Sequence, residues 1–536
     1  MIPEWDTLSE DICNYIFQRV DEYDFDAISR TCKHFLSITD RTRTTLTISN
    51  ETVAVGILRR CRNIKRVNVH PDMRGDLDLL IRAISTSGVA IEALDLSYQD
   101  SFPSSSSVRE AGEGTLGRTL KILICSSIHW RLIDQDLVAI SEAFPALEEL
   151  DLSVSDAGGR VTDAGIRALA SKLERLRKIN ISGNYLISDA SLSALSWNCA
   201  FLSEVHLLHC SRLSRNAISS FIAQNPKLIS FTVCMGFDIY ILAITRSLQC
   251  LHISDSFLGD DSLLSIAKSC LPLRELCLPF CYGFSPSGLN LVFQAYPSLM
   301  RVDLRGIDIL TDESMSLLAS HLCEVTTIDL SYCPKLTELT FMSLVNCCPL
   351  LEELRMRCTD LGRGPPLCST SMKNRSKIRT FDLSRSSHFN DETLIHISSV
   401  CPELRTVYLS CLEQLSDVGI TCLGLNCPHI RTLDVSDCKR VTSLGNEGFN
   451  ELETLRARAS RIEDEGLLMA LPRCRERLRV VDLVETKVTW YGVTKVIEEC
   501  SRLREISVYG AELQKVLLIK GWEEMRRDTD LYTHYG

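Results

Sequence analysis

The chain has no Cys-x-x-Cys pair, although it carries 24 cysteines in 536 residues. Two such pairs are the spacing that signals a structural zinc, so a zinc module is not expected. Dense Lys/Arg runs are also missing, and the formal charge of −11 leaves no basic footprint for a nucleic-acid duplex. No apolar stretch reaches the roughly 20 residues of a membrane span. No Gly-rich phosphate loop follows a predicted strand. The start, Met1-Ile2-Pro3-Glu4-Trp5-Asp6, is acidic and lacks the apolar run of a secretory leader. Nucleic acid and membrane are therefore not expected as partners, and a cofactor-dependent or metal-dependent activity is not expected.

The bulk composition, 45% apolar and 24% charged, is that of an ordinary soluble protein. The information lies in the order. Leu147, Leu150 and Leu152 form the phrase Leu-x-x-Leu-x-Leu, which returns about every 26 residues. It recurs from Leu176, Leu202, Leu228, Leu248, Leu273, Leu299, Val325, Leu351, Ile378, Leu404, Ile430, Leu452, Leu478 and Leu503, with weaker copies from Ile64, Ile91 and Leu120. About eighteen units of this period predict a leucine-rich-repeat solenoid, an α/β horseshoe with an inner parallel sheet and outer helices. Such a chain offers a long binding surface, so binding rather than catalysis is the expected activity.

Each unit reads as a strand, a polar turn and a helix. Thr162-Asp163, Ser188-Asp189, Thr311-Asp312, Asn390-Asp391 and Ser416-Asp417 repeat a helix-start signal. The cysteines follow the same rhythm. Cys210, Cys281, Cys333, Cys358, Cys411 and Cys438 close strand segments; Cys199, Cys270, Cys348, Cys401, Cys427 and Cys500 end helix segments. Stacked rungs make these small buried apolar positions in a reduced protein, and the cytoplasm or nucleus is the expected compartment. Two units break the rhythm: residues 101–114 and residues 359–377 are rich in Gly, Pro and Ser and show no helical periodicity. Both are expected as long loops, with the binding face as one home for them. The unit from Leu228 is short, so a full helix is not expected there. Leu513 to Trp522 is expected to cap the last rung.

The first 45 residues do not fit the repeat. Thr7-Leu8-Ser9-Glu10 is a capping box that starts a helix with Ile12, Ile16, Phe17 and Val20 on one side. Asp24 to Arg30 starts a second helix, and Thr31 to Ile38 is a third apolar piece. Three helices this short need the solenoid or a partner to bury their apolar faces. Domains are thus expected at 1–45, 46–510 and 511–536.

The repeats resemble the cysteine-containing subclass of leucine-rich repeats, which is commonly attached to an F-box. The order Leu8-Ser9-Glu10-Asp11-Ile12, Ile16-Phe17, Asp24-Phe25, Cys32-Lys33 and Phe35 is similar to an F-box, with Ser9 in place of the usual proline and His34-Phe35 in place of the usual tryptophan. The resemblance implies a non-catalytic substrate receptor of a Skp–cullin–F-box ubiquitin ligase. It implies that Leu8, Glu10, Ile12, Ile16, Phe17, Phe25 and Ile28 grip the Skp-type adaptor and, through it, the cullin. An unknown protein substrate would be held by the solenoid. A small-molecule co-receptor of the same architecture and a repeat scaffold without a ligase role remain alternatives.

Residues flanking the middle strand leucine face inward. Arg355 and Arg357 with the loop Arg363 to Lys377, and Arg456 with Arg458, make two strands locally basic and are candidate contacts for a substrate or an anion. The layout is similar to that of the plant auxin and jasmonate receptors, which hold an inositol polyphosphate and a small carboxylate hormone. The resemblance admits a polyphosphate at these arginines. The fourteenth strand departs from it: Thr406 and Tyr408 stand where those receptors have arginines, leaving a hormone carboxylate without its main charge partner. His206 and Cys210 are the nearest approach to a metal pair, and no metal is expected there.

Overall fold

The computed structural model describes residue 29 and residues 31–128, 132–155, 159–234, 246–363, 376–510 and 513–518. The chain divides into two compact units, Met1–Ser254 with Ser269–Pro272, and Asp255–Lys268 with Leu273–Gly536.

The first unit carries nine parallel strands among its described residues, from Thr45–Asn50 to Cys250–Ile253. Their middle residues stack in register: Leu46, Val67, Leu94, Leu123, Leu150, Ile179, Val205, Phe231 and Leu251 are all buried. The second unit repeats the arrangement from Glu275–Cys277 to Glu505–Gly510, with the buried column Leu276, Val302, Ile328, Leu354, Phe381, Val407, Leu433, Leu455, Val481 and Ile506. Leu513–Leu518 then turns back antiparallel to Glu505–Gly510, covering the last parallel edge. Every copy of the leucine phrase thus supplies a strand. Each buried leucine in these columns contributes on the order of 2–5 kcal/mol against alanine.

Helices are tied from rung to rung by an aspartate at their first position. Asp163, which opens Asp163–Ala170, accepts the Ser188 N–H at 2.8 Å and its hydroxyl at 2.6 Å, so it holds the cap of Asp189–Asn198. In the same unit Asp134 serves Thr162 and Asp189 serves Ser214. In the second unit Asp260, Asp312, Asp391, Asp417 and Asp464 serve Ser285, Thr337, Ser416, Thr442 and Thr489. The helix-start signal read in the sequence is therefore two caps at once: the Ser/Thr caps its own helix, except at Thr442, which no helix follows, and the Asp holds the next rung's cap.

The cysteine columns have a related logic. Cys333 and Cys438 donate their S–H to Leu304 and Leu409 carbonyls at 3.3 and 3.0 Å, and Cys427 reaches the Cys401 carbonyl at 3.3 Å. Burial pushes the Cys199, Cys210, Cys281, Cys333, Cys348, Cys401, Cys427, Cys438 and Cys500 thiols up to about 12. All described cysteines are free thiols. Three depart from the expected burial. Cys358 and Cys411 sit one residue earlier in the turn than Cys333 and Cys438, with φ of 52° and 60°, and are half-buried; Cys270 has φ 51° and is exposed. A spacing off by one residue moves a side chain out of the buried column.

The expected loop at residues 101–114 is corrected by the structure. Ser105–Glu113 is a helix, capped by the Ser104 hydroxyl, and Ser107, Val108 and Ala111 are buried. A side chain at Gly112 would stand 2.6 Å from the Ala143 Cα, so the small residues that read as loop are what lets this helix approach its neighbour. Leu116–Thr119 adds another short helical turn. Residues 235–245, the return of the short unit, and residues 364–375, most of the other expected loop, lie outside the described residues.

Candidate functional site

On the open sheet face of the second unit, the residue after each buried strand leucine forms a column. From Cys277 it runs through Asp303, Asp329, Arg355, Asp382, Tyr408, Asp434, Arg456 and Asp482. The recurrent aspartates have local work. Asp329, Asp382, Asp434 and Asp482 each accept the backbone N–H two residues on, at 2.9, 3.1, 2.9 and 3.1 Å, which fixes the turn that leaves the strand.

The arginines singled out in the sequence enter a charge ladder with these aspartates. Arg355 lies 2.5 Å from Glu353 and 3.9 Å from Asp329. Arg305 bridges Asp303 at 2.8 Å and Asp329 at 3.5 Å. Arg357 is 3.6 Å from Asp382, and its Nε is buried without a hydrogen bond. Four carboxylates thus face three guanidiniums, one negative charge in excess, so each of these arginines already has a carboxylate partner in place. Burial pushes the Asp329 carboxyl up, against the hydrogen bonds from Ser331 that lower it. Arg458 lies 3.4 Å from Asp482, whereas Arg456 is exposed and makes no ion pair among the described residues. Arg355 and Arg456 stand four strands apart in the register, on the order of 19 Å, so the two arginine pairs are separate features. Of the basic loop, Arg363 is tied to Asp360 at 2.8 Å, and Asp360 also meets His388 at 3.0 Å.

In the first unit His206 Nδ1 lies 2.9 Å from the Thr232 hydroxyl, and burial pushes its pKa down. Cys210 hydrogen-bonds the Ile181 carbonyl instead of approaching His206. No cluster able to hold a metal ion is found among the described residues, nor a helix long and apolar enough to cross a membrane.

The adaptor residues expected from the sequence, Leu8, Glu10, Ile12, Ile16, Phe17, Phe25 and Ile28, lie outside the described residues. The chain just beyond them is described. The helix Lys33–Thr42 buries Ile38 and Thr39, and the Arg41 carbonyl accepts from Asn63 Nδ2 at 2.6 Å. Cys61 donates to Asp40 at 3.3 Å. These contacts fasten the end of the N-terminal segment to the first rungs.

One surface feature lies outside the leucine and cysteine columns. Phe257, Phe280, Tyr282 and Tyr332 are exposed at 60%, 44%, 60% and 44%. Phe280 and Tyr332 occupy left-handed turn positions three residues beyond the strand column. The signal that could have found them is an aromatic at a turn position that the neighbouring rungs fill with Asp255, Gly306 and Cys358.

Residues 5–46 match the F-box domain family. A curated relative, Transport inhibitor response 1-like protein Os11g0515500 from Oryza sativa subsp. japonica, is 22% identical over 425 residues, covering 73% of this chain and 72% of that protein. Among solved structures, the Rad7 and Elc1 complex in yeast aligns with a TM-score of 0.41 at 14% identity, covering 77% of this chain and 91% of that one. A TLR13–ssRNA13 complex aligns with a TM-score of 0.39 at 13% identity, over 88% and 60%.

Proposed function

We propose that this chain, an F-box followed by leucine-rich repeats, is the substrate-recognition subunit of a Skp–cullin–F-box ubiquitin ligase. Its F-box holds the Skp-type adaptor and the open strand face with its turns holds a target protein. The chain contributes no catalytic group on this reading; it contributes proximity between target and conjugating enzyme. The observation that carries the proposal is the F-box match running directly into the repeats. The hydrogen bonds from Asn63 to Arg41 and from Cys61 to Asp40 support it, because proximity requires that the F-box end be fixed to the target-holding rungs. The free, largely buried thiols fit a reducing compartment, the cytoplasm or nucleus.

A polyphosphate or other anion at Arg355 and Arg357 would have to draw those arginines away from Glu353, Asp329 and Asp382. The proposal therefore includes no bound polyphosphate. Capture of a purified Skp-type adaptor by the full chain tests the reading. Ile16→Asp with Phe17→Asp should abolish capture, since a charge in an apolar interface costs several kcal/mol. Capture that survives the double substitution would falsify the assignment.

A further inference from the structure

We infer that the exposed aromatic row Phe257, Phe280, Tyr282 and Tyr332, flanked by Asp255 and Asp308, is a docking surface for a basic-aliphatic peptide segment of the target. The inference rests on the receptor reading and names the chemistry of its substrate.

The row is built, not scattered. Phe257 and Tyr282 meet edge to face, 5.8 Å between centroids, and their backbones form a parallel bridge. Phe280 and Tyr332 lie 6.0 Å apart in turns two rungs from each other, with Gly306 in the turn between them. The space for the rings is reserved by glycine. A Cβ at Gly283 would run into the Phe257 ring, and one at Gly306 into the Phe280 ring; both glycines have positive φ, 96° and 70°. Phe280 and Tyr332 themselves hold φ of 56° and 62°, a conformation that costs a bulky side chain energy and that glycine would adopt freely. The turns are nonetheless fixed: the Phe280 N–H donates to Arg305 O at 2.6 Å and the Tyr332 N–H to Arg357 O at 2.7 Å. Four large rings are thus held open to solvent on rigid backbone, where adding them gains nothing for the core.

The charge around the row selects the partner. Asp255 stands at the turn position of Phe280 one rung earlier, and Asp308 at the position of Tyr282 one rung later. Both are exposed, and neither makes an ion pair among the described residues. Arg305, whose carbonyl accepts the Phe280 N–H, is already held by Asp303 and Asp329. Lys335 is exposed beyond Tyr332, at the far end. Ring faces attract Lys and Arg side chains, and so do unpaired carboxylates; the same rings take aliphatic side chains. A segment alternating Arg or Lys with Leu or Val satisfies both, while an acidic segment is repelled by Asp255 and Asp308 and finds a cation only in Lys335 at the far end.

The test uses the full chain and fluorescein-labelled decapeptides alternating leucine with arginine, against matched series with serine or glutamate for arginine. The arginine series should bind at least tenfold tighter than either. Phe280→Ala with Tyr332→Ala should lower its affinity tenfold or more. Asp255→Asn with Asp308→Asn, both exposed and harmless to folding, should lower it three- to tenfold and flatten its salt dependence. Equal binding of the serine series, tighter binding of the glutamate series, or indifference to either variant overturns the inference. Adaptor capture is measured on the same proteins. If capture is intact and the arginine series fails, the docking surface falls and the receptor reading stands. If the arginine series behaves as expected but the adaptor is not captured, the receptor reading falls alone.

Discussion

Asp163→Ala is the sharpest probe of how the rungs are held together. The Asp163 carboxylate accepts three hydrogen bonds from the next rung: the Ser188 N–H at 2.8 Å, the Ser188 hydroxyl at 2.6 Å and the Ser191 hydroxyl at 2.6 Å. Ser191 is fully buried, so its hydroxyl would be left without an acceptor in a place water does not reach. Hydrogen bonds to a charged group contribute about 1.5–3 kcal/mol each, and a partly exposed carboxylate belongs at the low end. Three such bonds put the cost of alanine at about 4–5 kcal/mol, and that of asparagine, which keeps one acceptor oxygen, at about 2 kcal/mol. Because each rung of a solenoid contacts only its neighbours, the loss should be local. Hydrogen–deuterium exchange should accelerate in the helix Asp189–Asn198 and leave the helices of the second unit unchanged. The pH dependence gives a second handle. Burial pushes the Asp163 pKa up, but the hydrogen bonds from Ser188 and Ser191 outweigh it and hold the carboxyl below its usual range. A carboxyl lowered in the folded state stabilises it fully above the unfolded value of about 4 and loses that contribution as pH falls through the folded value. The gap between wild type and Asp163→Asn should thus be full at neutral pH and shrink as pH drops below about 4. An alanine variant within about 0.5 kcal/mol of wild type at neutral pH would refute the reasoning, since that is the range of an indifferent surface change.

The same geometry makes further predictions. Phe341 and Phe381 stack 5.6 Å apart and are fully buried, so Phe381→Ala should cost about 3–5 kcal/mol in denaturant unfolding. In the native protein at mild alkaline pH, the exposed Cys270 and Cys323 should alkylate well before Cys438 and Cys427, whose thiols burial pushes up to about 12; uniform labelling by mass spectrometry would count against the buried columns. Gly306→Ala should destabilise by more than about 1 kcal/mol, because its φ is 70° and its Cβ would strike the Phe280 ring. Arg456→Ala, at an exposed arginine without an ion pair among the described residues, should leave the thermal midpoint unchanged, with an expected change below about 0.5 kcal/mol.

The strand columns were legible because a buried leucine at every rung leaves a strong period, and Leu150, Leu276 and Leu354 stand where that period puts them. The helix Ser105–Glu113 was not legible, since close packing on Ala143 demands the small residues that also make loops. Cys358 and Cys411 misled through a one-residue offset that changes a buried column into a left-handed turn. Arg355 and Arg357 were visible as basic residues on a strand. Their pairing with Glu353, Asp329 and Asp382 depends on which strands lie side by side, and only the register shows it. The aromatic row was missed for the converse reason: Phe257, Phe280, Tyr282 and Tyr332 sit at matching turn positions, but the residues there vary from rung to rung and gain meaning only from exposure.

On the proposed function, one chain joins a ligase to a target. Proximity labelling by the full chain in cells with the proteasome blocked, compared with the Ile16→Asp/Phe17→Asp variant, tests it most directly. Both proteins should label a shared set of targets through the repeats, only the wild type should also label the Skp-type adaptor and cullin, and the shared targets should carry more ubiquitin with the wild type. Shared targets equally ubiquitinated with both proteins, or an adaptor and cullin labelled equally by both, would contradict it.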